Sequence, residues 1–146
     1  VSLPSERIVS LSFERRYDEL ESLLRVQRGS SSEENALVGL SDALREKLEQ
    51  LEKSDSSIRY LLAGLAALAF NLMDYDYWDD AELALNELLR LSLAHSEAFF
   101  LADTQLRQAA CLKALGRMRD FENMKAQIPA GTRFLMKGKF WHLEDL

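Results

Sequence analysis

Apolar residues recur at intervals of three and four along most of the chain, the spacing that lines one face of an α-helix. The pattern is clearest from Glu33 to Lys53. There Leu37, Leu40, Leu44, Leu48 and Leu51 share a face, while Asp42, Arg45, Glu46, Glu49 and Lys53 take the other positions. Read with its punctuation, the sequence predicts seven helices. The first lies near Pro4 and carries Ile8, Val9 and Leu11. The second, Arg16 to Arg28, places Tyr17, Leu20, Leu23, Leu24 and Gln27 on one side and ends at Gly29. One of Ser30, Ser31 and Ser32 is expected to cap the third, with Glu33 and Glu34 at its positive end. The fourth, Ile58 to Met73, is apolar nearly all round and is therefore predicted to be central; Gly64 within it permits close backbone approach. The fifth runs from Trp78 to Leu93. The sixth runs from Glu97 to Leu115 and stops at a left-handed cap on Gly116, and the seventh, Met118 to Ile128, is ended by Pro129.

From Ala130 the tail changes character. Arg133 to Met136 and Lys139 to His142 predict a short hairpin turning at Lys137-Gly138, with Leu143 to Leu146 as a closing turn. The expected fold is all-α: about seven helices as stacked antiparallel helical hairpins in one domain, residues 1–146, with 130–146 as a C-terminal capping tail.

Composition agrees with that reading. Two prolines and six glycines are few for 146 residues, which disfavours an all-β chain, and 47% hydrophobic residues suffice for a sizeable core. The longest apolar run, Tyr60 to Phe70, is too short to span a bilayer. The chain opens on Val1 without a signal-peptide pattern, as expected of a trimmed or processed start. The single cysteine, Cys111, has no intramolecular partner, which fits a reducing, cytoplasmic setting. A net charge of −6 argues against a nucleic-acid partner, and no membrane partner is expected. The charge is also unevenly placed. Asp74 to Glu87 holds six acids and no base, whereas Arg107 to Lys139 holds eight bases and two acids. Such a split can steer a charged partner or match a second copy of the chain, so a homo-oligomer is among the expected assemblies.

One hairpin carries a repeat signature. Leu65, Leu68, Ala69 and Leu72, followed by Trp78, Ala81, Leu85 and Leu88, fall where a tetratricopeptide repeat places its large, small and aromatic residues. A poorer copy covers Ala109, Leu112, Gly116, Met118, Phe121 and Ile128, and a third covers Leu11, Tyr17, Leu20 and Leu24. The chain thus resembles a degenerate tetratricopeptide-like α-solenoid, best over residues 58–93. It departs from the family in spacing: the markers Leu20, Ala81 and Phe121 lie 61 and 40 residues apart, not 34. Gln105 and Gln108 also stand where the second copy should be apolar. The resemblance implies a peptide-binding groove lined by the first helix of each hairpin. On this chain those positions are Ala63, Ala66, Phe70 and Met73, then Asp103, Leu106, Ala110 and Lys113.

Chemistry-bearing patterns are scarce. Asp74-Tyr75-Asp76-Tyr77-Trp78-Asp79-Asp80 alternates like a calcium loop, but it has Asp79 where that loop needs glycine and Leu85 where it needs glutamate. It reads instead as an interhelical turn, with Trp78 packed between helices and Asp79 and Asp80 loading the next helix's positive end. His95 and His142 lack metal-ligand spacing; His95 suits the negative end of the fifth helix. Cys111, beside Ala110 and Leu112, reads as a small core residue. No phosphate loop, nucleophile elbow or dinucleotide fingerprint occurs, so no catalytic, cofactor or metal site is expected. Phe134, Phe140 and Trp141, interleaved with Arg133, Lys137 and Lys139, would form a stacking platform if exposed; the chain's acidity favours a capping role.

The expected function is a non-enzymatic helical-repeat adaptor or chaperone holding a peptide or helix of another protein. Its candidate partner-binding residues are Phe70, Met73, Asp76, Trp78, Asp79, Asp80, Leu106 and Lys113. The alternative is an acidic inhibitor or immunity-type protein that blocks a basic enzyme through the Asp74–Glu87 patch.

Overall fold

The computed structural model describes residues 4–30, 37, 39–95 and 101–146, with the side chains of 28–30 excepted. Among the described residues the chain is all-α, with seven helices packed on one another and one small two-stranded sheet. The helices are α1 (Pro4–Phe13), α2 (Tyr17–Ser30), α3 (Leu40–Lys53), α4 (Ile58–Asp74), α5 (Trp78–Ala94), α6 (Leu101–Ala114) and α7 (Met118–Ala126). Strands β1 (Arg133–Met136) and β2 (Lys139–His142) follow, then a short 3-10 turn, Leu143–Asp145.

Four interhelical turns use the same device. Arg15, Asp55, Asp76 and Gly116 each adopt a left-handed conformation. In each turn the left-handed residue's amide bonds the carbonyl three residues back. The next amide then reaches five back: Arg16 to Leu11, Ser56 to Leu51, Tyr77 to Leu72 and Arg117 to Leu112, at 2.9–3.1 Å. This pair of bonds is the Schellman motif, which satisfies carbonyls that a helix end leaves orphaned. In three of the turns, α1–α2, α4–α5 and α6–α7, the residue after the left-handed one already accepts the first bond of the next helix. Those bonds run from Leu20 to Arg16, Ala81 to Tyr77 and Phe121 to Arg117. The three hairpins therefore share a turn of one length, and the sequence markers Leu20, Ala81 and Phe121 occupy equivalent, buried positions in it. The α3–α4 turn is one residue longer, and the Ser57 hydroxyl caps α4 by accepting from the Tyr60 amide.

The 61-residue spacing from Leu20 to Ala81 has a physical cause: α3, which lies between them, belongs to no hairpin. It packs on α1 and α5, while α4 lies between α1 and α5 with α2 and β1 on its other sides. From α4 onward each helix packs on its successor through α7. The α1–α4 contact is close at Gly64, whose carbonyl accepts from the Ser12 hydroxyl at 2.9 Å and whose α-carbon faces the Phe13 ring. Tyr60 donates its hydroxyl to the Phe13 carbonyl at the same end. At the other end of α4, buried Tyr77 donates to the Leu24 carbonyl of α2 at 2.8 Å.

Two boundaries differ from the sequence reading: α2 does not stop at Gly29 but runs through it to Ser30, and α3 starts later than expected. The helix expected from Glu33 begins at Leu40, after a left-handed Gly39; Leu37 lies outside it, its amide held by Asp80 Oδ2 at 2.7 Å. Of the candidate caps, Ser30 ends α2, whereas Ser31, Ser32 and the acids Glu33 and Glu34 lie outside the described residues, as does the expected start of α6 at Glu97. The tail forms the expected hairpin. Lys137 and Gly138 both have positive φ, as a two-residue type I′ turn requires, and pair Met136 with Lys139 and Arg133 with His142.

Candidate functional site

The side chains expected to line a groove between α4 and α6 meet different fates. Met73 and Leu106 are fully buried core residues, so neither lines an open surface. The cause is the C-terminal hairpin, whose β1 packs on both α4 and α6. Arg107 of α6 fastens it there. Its guanidinium lies 3.7 Å from the centre of the Phe70 ring and 4.9 Å from that of Phe134, donates to the Leu135 carbonyl at 2.7 Å and pairs with Asp103 at 2.9 Å. Burial lowers the Arg107 pKa and Asp103 opposes that shift; the group remains cationic, as arginine does in proteins. The hairpin turn is held from the α4–α5 turn. The Lys137 amide donates to Asp74, and the Lys137 ammonium pairs with Asp76 at 2.6 Å. Lys113, exposed on α6, donates to the Leu146 carbonyl. Phe134, Met136 and Leu143 are buried, whereas Leu135 and Phe140 are about half exposed.

An open groove remains one helix over, between α2 and α4. Tyr17 and Glu21 form one wall and Ala63, Ala66, Ala67, Phe70 and Asn71 the other, around a volume of ≈ 430 Å³. It exists because α4 is apolar nearly all round and its small side chains on this side leave space beside α2 unfilled. Three of the four α4 positions implied by the tetratricopeptide resemblance, Ala63, Ala66 and Phe70, border it. Sequence reasoning placed Tyr17 on an apolar face but did not see it as a rim, and it passed over Glu21, Ala67 and Asn71. Their signal was the excess of apolar surface on α4 over what its neighbours cover.

The acidic run does not form one open patch. Asp74 and Asp76 hold Lys137, Glu82 pairs with Arg117 at 2.8 Å, and Glu87 pairs with Arg90 at 2.6 Å. Asp80 is 7% exposed and accepts from the Leu37 amide. Burial pushes its pKa from 3.8 to about 6, against the lowering effect of that hydrogen bond. Asp79, in the first turn of α5, is exposed, and Trp78 is half-buried against the core.

Among the described residues no group of three or more histidine, cysteine or acidic side chains is arranged to hold a metal ion. Cys111 is fully buried, and its thiol pKa is pushed up to about 12 chiefly by that burial, so it stays protonated and unreactive at neutral pH. No described helix is long and apolar enough to cross a membrane. Comparison with protein-family models, with curated proteins and with solved structures finds no match.

Proposed function

We propose that this chain is a non-enzymatic, cytoplasmic protein-binding module, an adaptor or chaperone of tetratricopeptide-like build, and that it takes an apolar helix or peptide of its partner between α2 and α4. The observation that carries the reading is the open Tyr17–Phe70 groove, walled by small apolar side chains on a helix that is otherwise core. Small residues let a partner backbone approach closely, and the rim aromatics supply contact area at low entropic cost. The three hairpins with identical turns support the repeat-like build, and the C-terminal hairpin covers the α4/α6 side while leaving the α2/α4 groove open. The inhibitor alternative draws less support, because most of its acids are already paired or buried.

Quantitative capture of binding partners by wild type, by Ala67→Arg in the groove and by Glu49→Arg in the separate cleft between α3 and α5 tests the reading. A partner retained by wild type and Glu49→Arg but lost with Ala67→Arg is expected. A partner retained equally by all three variants would exclude the groove.

A further inference from the structure

The C-terminal hairpin leaves one edge unpaired among the described residues. Met136 stands opposite Lys139 across the two-residue turn, and the Leu143 amide donates to the Thr132 carbonyl at 3.0 Å. Bonded and unbonded pairs alternate along an antiparallel ladder. Met136–Lys139 and Phe134–Trp141 therefore bond each other, whereas Leu135 and Phe140 turn their amides and carbonyls away from the partner strand. On the β1 side the Leu135 carbonyl is taken by Arg107 at 2.7 Å. On the β2 side the Phe140 amide and carbonyl have no partner among the described residues. β1 is the strand that packs on α4 and α6, so β2 forms the outer edge, with Lys139 and Phe140 exposed on it.

The side chains along this edge are basic and aromatic. Residues 133–142 hold Arg133, Lys137, Lys139 and His142 and no acid. Lys137 is spent on Asp76, and Glu144, just beyond the strand, accepts from the Gly131 amide at 3.0 Å. Arg133 and Lys139 have no carboxylate partner among the described residues. The Arg133 guanidinium lies 4.3 Å from the centre of the Phe140 ring, and the Lys139 ammonium 4.7 Å from that of Trp141. Phe134 and Met136 point into the core, so Arg133, Leu135 and Phe140 mark the outer face and Lys139 and Trp141 the inner one. Each face of the edge thus carries a ring with an unpaired cation held over it.

We infer that β2 takes an extended acidic peptide segment as a third strand of this sheet, its main chain bonding Phe140 and its carboxylates meeting Arg133 and Lys139. In strand addition, main-chain bonds supply affinity and the side chains alongside choose the sequence. Charge decides the occupant. A second copy paired edge to edge would set basic side chains against basic ones, which is how an edge lysine discourages self-association. Single-stranded nucleic acid needs open ring faces for its bases, and here each ring has a face covered by a cation in a chain of net charge −6. An acidic strand satisfies the free main-chain groups and both cations together.

The inference extends the protein-binding reading to a second surface. The lining of the α2/α4 groove includes no residue of the hairpin, so Ala67→Arg leaves this edge intact and the two readings fail separately. The test is an NMR titration of the full chain with a blocked synthetic hexapeptide that alternates glutamate and valine. Saturable shifts centred on the backbone amides of Phe140 and His142 are expected, and added salt is expected to weaken them. The same peptide methylated at every backbone nitrogen is expected not to bind, and neither is one with lysine in place of glutamate. Lys139→Glu, at an exposed position, is expected to weaken binding about tenfold while the amide signals of the helices stay in place. Absence of shifts in wild type would overturn the inference, as would undiminished binding by the methylated peptide, by the lysine peptide or to Lys139→Glu. The same shifts produced by oligothymidylate, or by raising the protein concentration alone, would overturn it in favour of a nucleic acid or a second copy of the chain.

Discussion

Asp80 shows how a residue can be read correctly by position and wrongly by environment. Its place in the first turn of α5 was legible, since acids favour a helix N-terminus. That the same carboxylate is buried and anchors the Leu37 amide was not, because the partner comes from a segment 43 residues away. The consequence is a pH dependence. Between pH 3.8 and about 6 the folded state keeps a proton that the unfolded chain has lost, so stability from this group falls as pH rises through that window. Asp80→Asn keeps an acceptor for Leu37 and removes the buried charge. It is expected to flatten that slope and to stabilise the fold by about 1–2 kcal/mol at neutral pH, as measured by urea unfolding at several pH values. Arg15 and Asp55 offer a second residue-scale test. Both sit in left-handed Schellman positions where Gly116 shows the unstrained choice. Arg15→Gly or Asp55→Gly is expected to raise stability by roughly 0.5–1 kcal/mol, visible as a higher Tm. Asp76 is a poorer site for the same change, because its side chain also holds Lys137.

At the scale of elements, helix existence and most boundaries were readable because spacing, caps and composition agree, as in α4, α5 and α7. The β-hairpin was readable too, because Lys137-Gly138 separates two runs of suitable length. What escaped was which elements meet. Nothing in the periodicity of α3 says that it packs on α1 and α5 instead of forming a hairpin with α4. Nothing in the basic run says that Arg107 alone is buried, between Phe70 and Phe134. Two substitutions probe these contacts. A β-carbon at Gly64 would lie 2.2 Å from Phe13 Cδ1, so Gly64→Ala must displace an aromatic ring that is itself core. The clash outweighs the gain in helix propensity of roughly 1 kcal/mol, and a net loss of about 1–2 kcal/mol is expected in denaturant melts. Arg107→Leu removes the donor to Leu135 and leaves Asp103 unpaired. A loss of roughly 2–4 kcal/mol is expected, with hydrogen exchange in β1 and β2 accelerating before that of α4 and α5. Unchanged protection of the strands would show that Arg107 does not fasten the hairpin.

At the scale of the molecule, three hairpins with one turn geometry build a layered array, and the chain's own tail occupies one of its faces. The sequence pointed to a groove between α4 and α6; an open groove does border α4, but on its other side. The α4/α6 side is closed by β1, and α2 supplies the open wall instead. That exchange depends on how a four-residue strand docks onto two helices far from it in the chain, which local patterns do not encode. Of the eight candidate contact residues, Phe70 borders the open groove, Met73 and Leu106 are core, and Asp80 is an internal anchor. Asp76 and Lys113 hold the tail.

The most direct test of the central claim places a photo-crosslinking amino acid at Glu21, on the groove rim, and at Glu49, in a cleft between α3 and α5. Irradiation in cells producing the protein, followed by mass spectrometry, reads out what lies against each position. The account predicts a discrete protein adduct from position 21, none of that species from position 49, and its loss when Ala67→Arg is added. No adduct at position 21, or the same adduct at both positions and insensitive to Ala67→Arg, would contradict it.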